Sequence, residues 1–437
     1  MKVFAEKRKV KAISCVSDNC GIIYRIIYRL ALDFSYTTAI SVAYSYYMGL
    51  TYFPSLLRIL ISYIVSLFVI IVTPSYKNTI SSFFLNVQLY IFLMPMCSLY
   101  GLSGRSIIFL TGISLIHVMQ CIILSVNIRT KCIKKIYIEN NQLILFGTLC
   151  GFVIMIIGLL FLQGGRPNWS AINLNNVYKI RAEAISLTTI MSYFVSWSTK
   201  IIIPFLLACS IHKKHWFLCT LLTGLQFLFY CIFAHKTYLF TPILVIAVYF
   251  CCKHNLLKWG FEKGLTLGVL FTTGLYLLNN KWIWPVNLLV RRVLYVPATL
   301  KFSFYEFFSR NPKVCFGDGV IGTVFHIDSP YSKTIPKVIA EYVGYPESSC
   351  NTGYWGDAYA NAGWIGVVLL SVILAVYIKT LENCSTKLNK TIVIASCAYW
   401  IYSLNDGAFL TNLLTGGGLL FLLILVFSNL QKKHHPT

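Results

Sequence analysis

Apolar runs of about 20 residues, the length a helix needs to cross the ~30 Å hydrocarbon core of a bilayer, recur from one end of this 437-residue chain to the other. They fall near 31–53, 55–74, 79–100, 106–128, 142–162, 184–211, 216–234, 238–252, 264–280, 354–378, 391–406 and 411–430. The links between them leave no room for a soluble domain. Barrel strands would read as weaker alternating segments of about ten residues, so the expected fold is all-α: a polytopic membrane protein with about 12 (10–12) transmembrane helices. Composition agrees, with 57% hydrophobic residues, a mean hydropathy of +0.70 and only 12% charged residues.

A net charge of +23 would suit a nucleic-acid binder. The lysines and arginines, however, sit mostly in short links such as RTKCIKK (129–135), HKKH (212–215) and KHNLLKWGFEK (253–263), and in the tail QKKHHPT. Threading the spans from a cytoplasmic N-terminus puts these clusters on one side, as the positive-inside rule requires. Both termini are then cytoplasmic, and no nucleic acid is expected as a partner. Residues 1–30, beginning MKVFAEKRKVK, lack the apolar core and small-residue cleavage site of a secretory signal and read as a cytoplasmic tail.

The same threading leaves two long outside loops, 163–184 and 281–352. The chain therefore divides into the tail, a first group of spans over 31–280 containing the smaller loop, the large loop, C-terminal spans over 353–430, and the tail 431–437. No internal repeat of the kind that builds many secondary transporters is visible. Most of the 15 cysteines lie scattered in apolar runs. Cys315 and Cys350 fall in the large loop, where an oxidising compartment could join them.

Cations on the outer face are the first candidates for chemistry. Arg291 and Arg292 lie in WPVNLLVRRVLYVPATLKFSFYEFF, an amphipathic stretch suited to the membrane surface. The guanidinium fork grips phosphate oxygens in two places, a property that serves equally for anchoring to anionic membrane lipid and for clamping a pyrophosphate. Arg166 and Arg181 in the smaller loop, and Lys236 in AHKTYLFTP, add cations on the same face. Arg181 could instead pair with a neighbouring helix, and Lys236 could snorkel.

Carboxylates number only 14, with no DxD pair to hold a divalent metal under a nucleotide diphosphate. No Walker, GxGxxG, HExxH or GxSxG motif is present, and no metal or other cofactor is expected.

Asp357 is the best-placed acid, in CNTGYWGDAYANAGWIGVV (350–368), where a span begins with glycines packed among aromatic residues. It could simply favour a helix N-terminus. Its neighbours Asn351, Tyr354 and Trp355 suit both the membrane interface and contact with sugar, and the glycines allow close backbone approach.

That segment resembles the end of the long periplasmic loop of the bacterial O-antigen polymerases (Wzy), the oligosaccharide repeat unit polymerases of the inner membrane. The resemblance extends to RAEA (181–184), HKTYLFTP (235–242) and RRVLYVPATLKFSFYEFF (291–308), and to the layout of spans around one dominant loop. It implies a glycosyltransferase-C-like membrane architecture and work on undecaprenyl-pyrophosphate-linked oligosaccharide at the periplasmic face. It further implies a flippase and a polysaccharide chain-length regulator as partners. The growing glycan would pass to a hydroxyl of a lipid-linked repeat unit. Arg291, Arg292, Arg181, Arg166 and Lys236 would clamp pyrophosphate. Asp357 would position or deprotonate the acceptor, with Arg291 and Arg292 sharing in catalysis. Asn351, Tyr354 and Trp355 would bind sugar, and His326 and Glu341 are reserve bases. O-antigen ligases share this layout. A flippase or anion transporter, a reading from another class, predicts charged residues deep within spans, and a scaffold protein would need no site at all.

Overall fold

A computed structural model describes residues 19–126, 141–173 and 177–428. Residues 1–18, the tail 431–437 and the RTKCIKK link lie outside these residues. Among the described residues every regular element is a helix. In chain order the helices that matter below are α1 (Asn19–Ser35), α2 (Leu56–Val72), α3 (Ile80–Ser103), α4 (Ile107–Ser125), α5 (Leu143–Leu162), α6 (Thr189–His212), α7 (Trp216–Phe233), α8 (Lys236–Lys253), α9 (Leu257–Leu278), α10 (Val296–Phe308), α11 (Ile335–Tyr342), α12 (Tyr354–Cys384), α13 (Lys390–Ser403) and α14 (Phe409–Ser428). Eight of them, α3 to α8, α12 and α14, are long and apolar enough to cross a membrane.

Helix α3 is the axis of the bundle. Its apolar window is wholly buried inside the protein, as expected of a helix that is hydrophobic all round. Helix α5 is the opposite case, with Leu143, Ile144, Ile154 and Leu162 exposed as a surface for lipid. Helix α13 packs against α8 and the second half of α6, α10 against α12, and α12 against α4.

Helix α1 begins at Asn19, ahead of the start expected near 31, and brings two fully buried arginines into the bundle. Arg25 donates to the carbonyls of Ile70 (2.8 Å) and Thr73 (2.7 Å) at the end of α2 and lies 3.7 Å from Glu262 of α9. A cation satisfies the open carbonyls that every helix C-terminus leaves. Arg29 pairs with Asp33, which also accepts from Tyr63 (2.8 Å) and Ser98 (2.5 Å). These charges are joined to one another and to backbone, which is how ionisable groups persist within a membrane domain.

Four helical stretches widen into π-type turns: Tyr36–Ile40, Gln88–Leu93, Ser198–Ile202 and Asn287–Tyr295. The third lies in α6, where the sequence interrupts an apolar run with Ser-Thr-Lys and then Pro204. Such bulges often mark functional positions. Here the third carries Lys200 and the fourth carries Arg291 and Arg292.

Candidate functional site

Helix α12 is broken near its start. Ala362 and Gly363 leave the helical region, Gly363 with φ +59°, a conformation that glycine adopts without strain. Residues 354–361 thus form a short helix set off from the apolar run that follows. The break frees carbonyls that need donors, and the large loop supplies them. The amides of Val314 and Cys315 donate to Ala360 O (3.0 Å) and Asn361 O (3.1 Å), and that of Phe316 to Asn361 Oδ1 (2.9 Å). The loop is thereby fastened across the end of the short helix that carries Asp357.

Beside this junction opens a cavity of about 570 Å³. Its walls include Asp357 and Asn361 of α12, Asn351 and Asp318 of the large loop, Lys200 of α6 and Asp406 of the link between α13 and α14. Asp318 also accepts from the Ile335 amide (2.7 Å), tying α11 to the rim.

The 404–408 link is held at three points. Asn412 Nδ2 donates to Ser403 O (3.1 Å) while its Oδ1 accepts from Ser403 Oγ (2.9 Å), closing the ends of the link on each other. The Tyr354 amide donates to Leu404 O (3.2 Å). Lys301, fully buried on α10, donates to Asn405 Oδ1 (2.6 Å) and O (2.7 Å). Asp406 lies in the cavity wall with its residue surface exposed there, while neighbouring protein crowds its carboxyl. Burial pushes its carboxyl up to about 6, against the opposing pull of Lys301 and Lys200.

Of the described cations in this region only Lys200 is on the cavity wall; the expected clamps Arg181 and Lys236 lie off it. Both Lys200 and Arg181 lie near enough to His235 to oppose its protonation; burial and these two charges push the imidazole down to about 4. Arg181 itself is exposed and donates to Ala234 O (3.0 Å). Lys236 lies over the Trp284 ring, 5.1 Å from its centroid.

Of the residues singled out in the sequence, Asp357 and Asn351 line the cavity. Arg291 and Arg292 do not. Arg291 is buried, its guanidinium 4.3 Å from the ring centroids of both Tyr44 and Tyr47 and its Nε donating to Asn287 Oδ1 (2.7 Å). The exposed Arg292 adjoins it, and the same turn is tied to the 404–408 link through Val293 O, which accepts from Asn405 Nδ2 (3.2 Å). Arg166 is exposed and lies off the cavity wall.

Tyr354 and Trp355 turn inward, away from any sugar. Tyr354 is wholly buried, its hydroxyl joined to Gln88 (2.5 Å) and Gln120 (3.1 Å), and Trp355 packs edge-on against Phe92. His326 is exposed, and Glu341 is paired with Lys333 at the surface; neither lines the cavity. Cys315 and Cys350 are both free thiols, the first exposed and the second buried. Among the described residues no cluster of His, Cys, Asp and Glu is arranged to hold a metal ion.

Asp406 is the residue that sequence reasoning passed over. Its signal was the run Asn405-Asp406-Gly407 between two apolar segments, a turn pattern carrying an acid at a membrane boundary. No protein-family profile, no curated protein and no solved structure matches this chain.

Proposed function

We propose that this chain is a surface-polysaccharide polymerase of the O-antigen type. It moves a growing glycan from undecaprenyl pyrophosphate onto a lipid-linked repeat unit at the periplasmic face of the bacterial inner membrane. The observation that carries the reading is one cavity in which the carboxylates Asp357 and Asp406 share the wall with Lys200. Glycosyl transfer from a lipid pyrophosphate asks for both parts. Carboxylates engage the acceptor hydroxyl, and fixed cations stabilise the charge that develops on the leaving pyrophosphate. The leaving group is already activated, so no nucleotide is required. Asn351 offers its amide group to sugar hydroxyls.

The buried arginines of α1 and Glu262 of α9 are the kind of intrahelical charge that a transporter uses. Arg25 is bonded to Tyr90, to backbone carbonyls and to Asn86, so it acts first as a structural pair with Glu262.

The test is expression in cells that lack their own polymerase but make the matching repeat unit, with lipopolysaccharide resolved by gel. A ladder from the unmutated chain, collapsing to single repeats with Asp357→Asn at equal protein level, is the expected result. Repeats that stay unpolymerised with the unmutated chain overturn it. Loss of even the single repeat when the chain is deleted from its own cells points to a ligase or flippase.

A further inference from the structure

Three carboxylates, Asp318, Asp357 and Asp406, line the cavity, and the charged neighbours of the last two differ. Asp357 has another carboxylate, Asp318, as its charged neighbour. Asp406 has two lysines, Lys200 on the cavity wall and Lys301 behind it, with the phenols of Tyr399 and Tyr402 from α13.

Lys301 is unusual in its bonding. Its Nζ meets three oxygens, Asn405 Oδ1 (2.6 Å), Asn405 O (2.7 Å) and Pro297 O (3.3 Å). The two carbonyls can only accept. The Asn405 amide is oriented by its own Nδ2, which donates to Val293 O, so its Oδ1 accepts as well. Three acceptors call for three N–H donors, and only the ammonium form of lysine has three. The Phe92 ring, 5.2 Å away, favours the same charge. Burial opposes this charge and pushes Lys301 down to about 7, so the ammonium that this bonding favours is held next to Asp406 at neutral pH and below.

We propose that Asp406 is the group that accepts the acceptor hydroxyl's proton, and that Lys301 is its positioning residue, holding both the link and a stabilising charge in place. The inference rests on the glycosyl-transfer reading. In the step, a lone pair of the acceptor oxygen forms the new bond to the anomeric carbon. The bond from that carbon to the pyrophosphate oxygen breaks, its electron pair departing on the lipid pyrophosphate, and the hydroxyl proton passes to a carboxylate oxygen of Asp406. Asp357, with a carboxylate beside it, orients the acceptor by hydrogen bonding. Near neutral pH Asp406 is suited to this role, because burial raises its affinity for a proton while the two lysines keep the ionised form available.

The experiment uses the full chain in membrane vesicles, supplied with undecaprenyl-pyrophosphate-linked repeat units from cells of its own strain in which the chain has been deleted. Elongation is measured from pH 4.5 to 8.5. No elongation by the unmutated chain at any pH overturns the glycosyl-transfer reading itself. With elongation present, Asp406→Asn is expected to lower the rate about a hundredfold. Lys301→Met is expected to move the acid limb of the profile up by about one pH unit. Lys200→Met moves the limb the same way without touching the buried clamp, and decides the electrostatic part if Lys301→Met does not accumulate. An Asp406→Asn chain that keeps its rate and profile overturns the assignment of the base. A Lys301→Met chain that is slower at every pH with an unmoved limb has lost only structure, and overturns the positioning role.

Discussion

Gly353 lies against the backbone of Asn405. A methyl group at 353 would stand 2.4 Å from the Asn405 carbonyl oxygen and 2.7 Å from that of Leu404, far inside contact distance. The two segments that carry the cavity's carboxylates, 353–357 and 404–408, can approach this closely because no side chain stands between them.

Gly353→Ala is therefore expected to push these segments apart and to disturb Asp357 and Asp406 together. The cost is that of an overpacked core, about 1–3 kcal/mol. Thermal unfolding in detergent should show a lower midpoint, and elongation should fall more steeply than protein level does.

The raised carboxyl of Asp406 has a consequence for stability. Its folded-state value, about 6, exceeds the ordinary value of 3.8, so the folded state binds this proton more tightly than the unfolded state. That contribution is full below pH 4 and is lost as pH rises through 6. Asp406→Asn removes the ionisation, and should raise the unfolding midpoint relative to the unmutated chain at pH 7.5 while leaving little difference at pH 4.

Arg291 is held between two phenol rings and bonded through Nε to Asn287. A lysine offers neither the planar stack nor that donor. Arg291→Lys should behave like Arg291→Ala, with product reduced on the order of tenfold, and Tyr47→Ala should reduce it in the same direction. Retention of a full ladder by Arg291→Lys would mean that only the charge matters there.

Arg25→Ala leaves Glu262 buried without its cation, and breaking such a pair costs about 3–5 kcal/mol. The variant should fail to accumulate in membranes. Glu341→Gln breaks only the exposed pair with Lys333, worth about 0–1 kcal/mol; this variant and His326→Ala should give unchanged ladders on the same gel.

Much of the frame was legible in the chain itself. Apolar length marks helices that can span a membrane. Ser-Thr-Lys and Pro204 fall where α6 widens into its π-type turn, and Asn351 and Asp357 could be singled out because polar residues at the mouth of an apolar run need a reason. The aromatic residues were not legible in the same way. A tyrosine or tryptophan has an apolar face and a polar edge, so the sequence around Tyr354 and Trp355 reads the same whether they face sugar or the core; the turn of the short helix sends both inward to Gln88 and Phe92. Nor could composition say that Arg25 and Arg29 are interior, since a buried arginine depends on partners that lie about 30 to 60 positions away, such as Ser66, Ile70 and Asn86. The sequence by itself determined that the chain is built of apolar helices, because apolar length is a property of neighbouring residues. Only the tertiary structure decided that Lys200, Lys301, Asp357 and Asp406 belong together, because their proximity comes from packing of α6, α10, α12 and the 404–408 link, and no local pattern records it.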